Sequence, residues 1–563
     1  MRIVIQHVLF FVAATFFFFF FNPPARASNL VLSSPSLINK NTSAHTQDIS
    51  FSISWNNSWC DTGGACNGDA QVATSNWDAA WVFAKFATWN AGTSTWGDWA
   101  HCTLARDNGG LSAPTGARVT MGCNRPGTAS VDCSQSDAVG KGAFIYRNSA
   151  GTGSNSFTGG ALHWLYGTDG VGDTDTVKVD IFGVEMVYIP AGPFYVGDVD
   201  AVSDAGDINS FYTYGCSSPG CSYQIASESA ITIGTSAGNL YYRSDNAYAG
   251  DLTGPIPVAF PKGYNAFYIM KYDVSQGQWR DFLNTLTRPQ QNTRAASRTA
   301  GAYAMSAAAS GTDITTCVTP NWWCRNAIRV PATVPADRIA FGCDLDMNGT
   351  FNGTSDGEWV AANWLSWPDQ AAYAAWAGLR PFTELEYEKA ARGPQQAVND
   401  EFAWGDATAD AATTSLSANG ANNETPDRGN LNYSSSVPRG PYRVGTFAGA
   451  ATTRHTSGAG YFGAMDLSGG LWKRPVSVGG SAGRSFDGMH GDGTLSTNGS
   501  ATVSTWPGYS TGEVTGATTG SGFRGGTWIY ATSVARVSDR YHASRDYATR
   551  YYGSGARAAR TSP

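Results

Sequence analysis

Hydrophobic and polar residues alternate in short runs through the first third of the chain. The runs begin at Ile49, Ala80, Ala143, Ala161 and Val177, and turns rich in Gly, Asn and Asp separate them. A period of two is typical of strands that bury one face. Segments with helical periodicity are missing here, so residues 28–185 are predicted to form an all-β domain that resembles a sandwich of short strands.

From Val184 onward the pattern predicts strands mixed with helices. Residues 184–189 predict a strand that ends at a Pro-Ala-Gly turn, and residues 267–283 pass from a strand into an amphipathic helix with Ser275 as its N-cap. Residues 366–392 predict two helices separated by Gly378-Leu-Arg-Pro. Residues 186–563 are therefore predicted to form a second, α+β domain.

The second of these two helices carries three glutamates. Thr383 and Glu386 have the spacing of a capping box. Glu384, Glu386 and Glu388 are expected on the solvent-exposed or capping side of the helix. This placement does not indicate the paired carboxylates of a hydrolase.

The N-terminus has the pattern of a signal peptide. Arg2 precedes an apolar run at residues 8–21, and Ala25-Arg-Ala27 follows it. The run is shorter than the roughly 20 residues that span a bilayer, and small residues at A-x-A spacing mark a cleavage site. Residues 1–27 are therefore predicted to be removed, leaving a secreted or cell-surface protein without a transmembrane segment. A membrane anchor is the alternative.

The cysteines agree with export. All ten lie between positions 60 and 343, and an even number in an oxidising compartment predicts disulfides. Cys216 and Cys221 enclose a four-residue turn, and Cys317 and Cys324 flank a second short loop. The full connectivity cannot be deduced from the spacing. Without any C-x-x-C pair, a zinc site is not indicated.

Charge separates the C-terminus from the rest of the chain. The net charge of −7 gives the whole molecule no electrostatic reason to bind nucleic acid. Between residues 522 and 560, however, seven arginines face two aspartates, which slightly favours acidic ligands. This segment is rich in Tyr, Ser, Gly and Arg, a composition typical of binding surfaces. Residues 523–560 contain no Lys, Glu, Gln, Met, Cys or Asn.

Seven motifs, taken in order, resemble the formylglycine-generating enzyme (sulfatase-modifying factor) family. The family has a variant of the C-type lectin fold, so the resemblance implies that fold for residues 186–563. The motifs span about two-thirds of the chain and lie at residues 189–194, 267–275, 365–367, 379–393, 404–406, 465–469 and 524–528.

The resemblance does not extend to the chemistry of the family's enzymes. Those enzymes bind copper through a cysteine pair close after their Arg-Gly-Gly-x-aromatic motif, and thiolates suit copper(I). Here the motif at 524–528 is followed by residues without cysteine, to the end of the chain. We therefore expect no copper and no oxidase activity. An oxidoreductase of the sulfatase-modifying type stays as an alternative.

The resemblance also implies calcium sites. Family members often carry Gly-Asn-x-Trp-Glu, whereas this chain reads Gly-Gly-Leu-Trp-Lys at residues 469–473, which replaces both oxygen ligands. Asn430 and Asn432 are a weak match to another family calcium loop.

A different calcium candidate follows from the residues themselves. The loop at 344–358 begins D-x-D-x-N-G, the pattern that places hard oxygen ligands around a tight Gly turn. Position 12 is Ser355, so Asp356 or Glu358 would supply the closing carboxylate. The alternative is a polar turn without an ion. The candidate ligands of this structural calcium are Asp344, Asp346, Asn348, Thr350, Asn352 and Asp356.

The combined features resemble the variable proteins of diversity-generating retroelements. In those systems mutagenesis of adenines turns Asn codons into codons ending in a pyrimidine, which cannot encode Lys, Glu, Gln, Met or Trp. The first four are absent from residues 523–560, and the one tryptophan, Trp528, lies in the family motif. Arg536 and Arg540 are expected to be scaffold. The expected diversified face comprises Thr527, Ile529, Tyr530, Ser533, Tyr541, His542, Ser544, Arg545, Asp546, Tyr547, Thr549, Tyr551 and Tyr552.

The sequence therefore predicts an exported, receptor- or adhesin-like binding protein. Its expected partner is a protein or glycan on a cell or phage surface, and neither composition nor spacing identifies it. A binding module of the same family that has drifted without diversification is the second alternative.

Overall fold

The structure is a computed structural model. It describes residues 29–61, 76–200, 209–243, 246–305, 325–412, 415–436, 439–449, 452–516 and 520–563. The predicted signal peptide lies outside the described residues, as do Cys66, Cys317 and Cys324. Within the described ranges, no helix has the length and apolar character needed to cross a bilayer.

The first third of the described chain consists of strands, as the alternating pattern predicts, with a 3-10 turn at Asn108–Gly110. The strands are β1 (Val31–Leu32), β2 (Ser36–Asn41), β3 (Thr46–Cys60), β4 (Asp78–Asn90), β5 (Thr95–Trp96), β6 (Ala100–His101), β7 (Ala117–Asn124), β8 (Val139–Arg147), β9 (Gly151–Trp164) and β10 (Val177–Ile189).

Shorter strands and helices follow. The strands are β11 (Phe194–Val196), β12 (Phe211–Thr213), β13 (Tyr223–Ile225), β14 (Leu240–Tyr242), β15 (Phe267–Met270), β16 (Ile328–Arg329), β17 (Gly342–Cys343), β18 (Leu416–Ser417), β19 (Thr425–Pro426), β20 (Tyr509–Ser510), β21 (Glu513–Val514) and β22 (Ala559–Thr561). The helices are α1 (Gln276–Thr285), α2 (Arg288–Arg294), α3 (Trp367–Trp376), α4 (Glu384–Arg392), α5 (Arg454–Ser457) and α6 (Ser481–Arg484).

The predicted helix starts are confirmed. Ser275 caps α1 and Thr383 caps α4, and each forms a complete capping box with the residue three positions later. Ser366 caps α3 in the same way. Each box satisfies two backbone N–H groups that the first turn of a helix would otherwise leave without partners.

The strands form two layers, and helices cover the outer face of one of them. β3 pairs with β1, β2 and β9, while β4 belongs to a second sheet in the order β22-β15-β10-β4-β8-β7. Phe51 of β3 shares a hydrophobic core with Val82 of β4, whereas Phe83 faces the other way and contacts Trp376 of α3 at 5.0 Å between ring centroids. Successive side chains of β4 therefore point to opposite faces of the central sheet and pack into a different hydrophobic core on each face.

The central sheet joins the two predicted domains. β10 pairs with β4 through residues 177–187 and with β15 through residues 186–189. The predicted boundary between 185 and 186 therefore falls inside one strand. Across this junction the buried ammonium of Lys271 lies 3.0 Å from Asp78 and 3.1 Å from Glu185. The N-terminal strands and the later α+β region thus share a sheet and a core.

The structure contains two disulfides among the described residues, Cys123–Cys133 and Cys216–Cys221. The second closes the short turn that the sequence suggests. Cys102 and Cys343 are free and fully buried, in different hydrophobic clusters, so they cannot pair with each other.

Candidate functional site

The C-terminal segment (residues 522–560) is positioned by buried ion pairs. Between the 3-10 turn Thr532–Ala535 and β22 it contains no helix or strand. The guanidinium of Arg524 donates to Glu384 at 2.8 Å and to Glu388 at 2.5 Å. Arg540 donates to both carboxylate oxygens of Glu384, at 2.8 and 3.1 Å. Two arginines of the segment therefore meet on one side of helix α4.

The expectation that the glutamates of α4 lie on its solvent-exposed or capping side is correct only for capping, since Glu386 completes the capping box with Thr383, and is wrong about exposure. Glu384, Glu386 and Glu388 are all 0% exposed. Burial by itself would raise the pKa of Glu384, but Arg540 and Arg524 hold it below its ordinary value. The local pattern could not reveal this, because the arginines that bind Glu384 are 140 and 156 residues away in the sequence.

The same pairing neutralises most of the arginine excess of the segment. Five of the seven arginines bind carboxylates: Arg524, Arg536, Arg540, Arg550 and Arg557. Arg560 is buried and stacks on Trp81 at 4.5 Å. The expected bias toward acidic ligands therefore cannot rest on the count of charges. Arg545 is partly exposed and makes no ion pair with the described residues, and it is the one arginine of the seven that combines these two properties.

The thirteen residues of the expected diversified face differ in exposure. Thr527, His542 and Ser544 are buried. Thr527 donates to the carbonyl of Gly470 at 3.0 Å, and the Ser544 hydroxyl lies 2.9 Å from that of Ser477. Asp546 and Thr549 are exposed, and eight residues are partly exposed: Ile529, Tyr530, Ser533, Tyr541, Arg545, Tyr547, Tyr551 and Tyr552.

A cavity of about 60 Å³ opens at the centre of this face. We call it the aromatic cavity. Its walls are five aromatic rings, together with His542 and Arg545; the rings belong to Trp472, Phe523, Tyr530, Tyr547 and Tyr551. Five of these seven residues belong to the expected diversified face: Tyr530, His542, Arg545, Tyr547 and Tyr551. The other two, Trp472 and Phe523, do not, and Trp472 lies 51 residues before Phe523 in the sequence.

His542 is enclosed by aromatic rings and is only 3% exposed. Its ring centroid lies 4.4 Å from that of Tyr541, 5.4 Å from Trp472 and 5.8 Å from Tyr530. Neither ring nitrogen has a hydrogen-bond partner among the described residues. Burial, and secondarily the charge of Arg545, lowers the pKa of His542 to about 3. At neutral pH the imidazole therefore offers one free donor and one free acceptor.

Two arginines lie beside the cavity. Arg545 stacks on Tyr248 at 4.9 Å and on Tyr547 at 5.3 Å. Arg474, which is fully buried, stacks on Phe523 at 4.4 Å and donates one bond to the carbonyl of Tyr547 at 2.7 Å. Its Nε and Nη1 have no partner among the described residues. His542 and Arg545 therefore present nitrogen atoms to the cavity, whereas Arg474 lies behind the Phe523 ring and does not line it.

Comparison with known proteins agrees with this architecture. The model of the sulfatase-modifying factor enzyme 1-like domain matches residues 222–561, which is more than half of the chain. The chain therefore belongs to the sulfatase-modifying factor family. No curated protein matches the chain.

The residues present do not fit the copper centre that the family resemblance implies. The position after the motif at 524–528 is occupied by Ile529 to Val534, and no cysteine follows Cys343 in the sequence. Cys343 itself lies in strand β17, fully buried, and burial raises the pKa of its thiol.

The residues also do not fit calcium at the Gly469 loop. Lys473 Nζ donates to the Gly469 carbonyl at 2.5 Å and lies 4.0 Å from the carboxylate of Asp273. A cation of the chain itself therefore stands among the oxygen atoms of this loop. Nearby, Asn430 donates to the carbonyl of His455, and its Oδ1 accepts from the Asp410 N–H. Asn432 donates to the carbonyl of Gly440, whereas its Oδ1 is buried without a partner among the described residues.

In the loop at 344–358 the structure brings three carboxylates together. One oxygen from each of Asp344, Asp346 and Asp356 lies within 4.8 Å of the others. Asn348 instead bonds to Asp346 and accepts from the backbone N–H of Thr350. The side-chain oxygen of Asn352 accepts bonds from the Cys343 N–H at 2.9 Å and from Arg280.

The structure also distinguishes the two carboxylates that could close the loop. Asp356 belongs to the cluster, whereas Glu358 lies 3.6 Å from Arg280. The sequence could not choose between Asp356 and Glu358, because both follow Ser355 closely, and only the tertiary contacts distinguish them.

Proposed function

We propose that this chain is an exported, non-catalytic member of the sulfatase-modifying factor family that binds a ligand with its C-terminal segment. The aromatic cavity carries the proposal. It combines large rings with free polar groups of His542, a combination that recognition sites use for affinity and orientation. The buried pairs of Arg524 and Arg540 with Glu384 provide a rigid support for it.

We further propose that the exposed part of this face is diversified by a retroelement, on a C-type lectin scaffold. Support comes from the codon-limited composition of residues 523–560 and from the separation of roles along the segment. Arg524 and Arg540 are buried and paired, while Tyr530, Tyr547 and Tyr551 are partly exposed. The partly exposed tyrosines can therefore be substituted without removing the ion pairs of the two buried arginines.

A display experiment tests the binding role. A library randomised at the ten exposed and partly exposed positions should keep its folded fraction and yield binders to unrelated protein baits. A control library randomised at Thr527, His542, Ser544 and Trp528 should lose folded protein, because these residues are buried. Failure of the first library to fold or to yield binders would reject a diversity-tolerant binding face.

The diversification has an independent test in the surrounding DNA. The gene should lie near a reverse transcriptase and a near-copy of its 3′ repeat that differs at adenines. If both are missing, the drifted binding module becomes the better description, while the binding role is unaffected.

The enzymatic alternative is tested directly. The protein incubated with copper and a cysteine-containing sulfatase peptide should give no formylglycine, because no cysteine follows position 343. Turnover that depends on added copper would contradict the proposal.

Export is tested by N-terminal sequencing of the protein recovered outside the cell. The proposal predicts a mature chain that begins at Ser28, after the Ala25-Arg-Ala27 pattern. A chain recovered with its apolar run intact would favour a membrane anchor.

A further inference from the structure

The aromatic cavity contains nitrogen donors but no carboxylate. His542 has two ring nitrogens without partners, and Arg545 makes no ion pair with the described residues. Arg474 lies behind Phe523, outside the lining of the cavity, and adds positive charge there with two unpartnered nitrogen atoms. A buried donor without an acceptor costs about 1–3 kcal/mol, and more when it is charged. These donors therefore favour a ligand that supplies acceptors and negative charge.

The size of the cavity limits that ligand. One water needs roughly 10–15 Å³ of such volume, so about 60 Å³ holds on the order of four or five non-hydrogen atoms. A CH₂–COO⁻ group has this size, whereas a sugar ring with its substituents does not. The rings of Trp472 and Tyr530 would contact the methylene group, and the nitrogen donors would contact the carboxylate.

We infer that the aromatic cavity binds an acidic side chain of a protein ligand. The inference rests on the proposed binding function and names the chemistry of its partner. Arg545 supplies the partly exposed charge at the cavity, and the His542 imidazole donates from within. Stacking of Arg545 on Tyr248 and Tyr547 holds its guanidinium in place before the ligand arrives.

Matched small ligands test this inference on the full chain. N-acetyl-aspartate N-methylamide should bind at least tenfold more tightly than the corresponding asparagine compound, which has the same shape without the charge. The Arg545→Leu variant should lose this preference, and Arg545→Lys should keep part of it. Arg125→Leu, which changes a partly exposed arginine directly after β7, should leave this preference unchanged.

A resonance of the His542 ring supplies a second readout. Carboxylate binding should raise the pH at which this ring titrates, because a bound anion stabilises the imidazolium. Equal binding of the two compounds, or tighter binding of inorganic phosphate, would overturn the acidic side chain as ligand. Absence of all small-ligand binding would also overturn it, and the display library would still report separately on the binding function.

A second inference rests on different residues. Asp344 and Asp356 are fully buried, and they share the cluster with Asp346. Oδ1 of Asp356 has no hydrogen-bond partner among the described residues. Buried like charges are unfavourable unless a cation compensates them. Arg329 pairs with Asp344 at 2.9 Å, which leaves the carboxylate of Asp356 without a described cationic partner.

We propose that Asp344, Asp346 and Asp356 bind one calcium ion. Hard carboxylate oxygens suit this ion, and its flexible coordination accepts backbone carbonyls and water as the other ligands. Gly349, at a φ of 81°, makes the tight turn that folds the loop around the cluster. Asp356 replaces the missing carboxylate at position 12 of the loop pattern.

Calcium content and thermal stability test this proposal. Full-length protein should retain one more calcium per chain after dialysis than the Asp356→Asn variant, and 1 mM calcium should raise its Tm by at least about 2 °C over EDTA. Asp346→Asn, at an exposed residue, should have the same effect as Asp356→Asn, and Asp137→Asn should have none. Equal calcium content in the wild type and both loop variants would overturn the site.

Discussion

At the scale of single residues, the protein depends on charges that are buried together. Glu384 accepts bonds from Arg524 and Arg540 and also from the backbone N–H of Val478 at 2.8 Å. A buried pair of this kind gains little over a hydrophobic substitute, but removing one partner leaves uncompensated charge. Glu384 therefore controls whether the C-terminal segment can pack on α4.

We predict that Glu384→Gln lowers the free energy of unfolding by about 3–5 kcal/mol, because it removes the carboxylate that Arg540 binds and one of the two carboxylates that Arg524 binds. Urea denaturation at pH 7.5 measures this. Asp137→Asn removes an exposed partner of Arg125, and we expect it to change the free energy of unfolding far less. A similar, small effect of both substitutions would contradict the central role of Glu384.

His542 should make the protein sensitive to mild acid. Its pKa is lowered from 6.5 to about 3, so the unfolded chain binds a proton between these values and the folded chain does not. Stability is therefore lost as the pH falls through 6.5. At pH 4.5 the loss from this residue is about 2–3 kcal/mol.

The comparison of His542→Phe with the wild type isolates this effect. The variant should lose less unfolding free energy than the wild type between pH 7.5 and pH 4.5, as followed by urea denaturation. His45→Phe, at an exposed site of the N-terminal strands, should behave as the wild type does. If the unfolding free energy of all three proteins depended on pH in the same way, His542 would not be buried in its neutral form.

At the scale of elements, glycine turns hold the C-terminal segment against the loop before it. The carbonyl of Gly525 accepts from the Gly469 N–H at 2.7 Å, and Trp528 N–H donates to Gly470 at 2.8 Å. Gly525 has a φ of 78°. A Cβ atom there would lie 2.1 Å from the carbonyl oxygen of Leu467. Only glycine allows this close approach in the left-handed region.

We predict that Gly525→Ala destabilises the protein by about 1–3 kcal/mol more than Gly470→Ala does. Gly470 has a similar φ of 72°, but a Cβ there meets no atom within 4 Å, so its substitution reports backbone strain alone. Denaturant midpoints of the two variants give the difference. Equal midpoints would mean that the turn can shift away from Leu467 at little cost.

At the scale of the whole molecule, one sheet connects the N-terminal strands to the family domain. β10 is bonded to β4 on one side and to β15 on the other, and β22 follows β15. Lys271 adds a buried ionic link to Asp78 and Glu185. Burial raises the pKa of Glu185 to about 8 despite this link. The two regions therefore have no separate cores at their junction.

We predict that the full chain unfolds in one transition across this junction. Residues 186–563 alone should not fold cooperatively, because β10 then keeps only its last four residues and loses its partner β4. Calorimetry and circular dichroism measure the thermal unfolding of the full chain and of the fragment. As a milder test in the full chain, Lys271→Met should lower the midpoint temperature of unfolding, and unfolding should still occur in a single transition. A cooperative transition of the fragment would show that the shared sheet is dispensable.

Much of the local structure could be predicted from the chain alone, since it depends on neighbours in sequence. Alternation predicts β3, β4 and β10, and Ser275 and Thr383 predict the starts of α1 and α4. The family motifs predict the domain that the match at residues 222–561 confirms. The Asp-rich loop at 344–358 is also recognisable from the sequence, because its candidate ligands are close together along the chain.

The tertiary structure alone decided which charges are buried and where the candidate ligand face opens. Glu384 seemed exposed by its helical position and is instead the partner of arginines 140 and 156 residues away. Trp472 and Arg474 come to the aromatic cavity from outside the C-terminal segment. Sequence by itself determined which residue types are available and which elements they form. Only packing determined which of them meet, because charge pairing and desolvation act between residues that are distant along the chain.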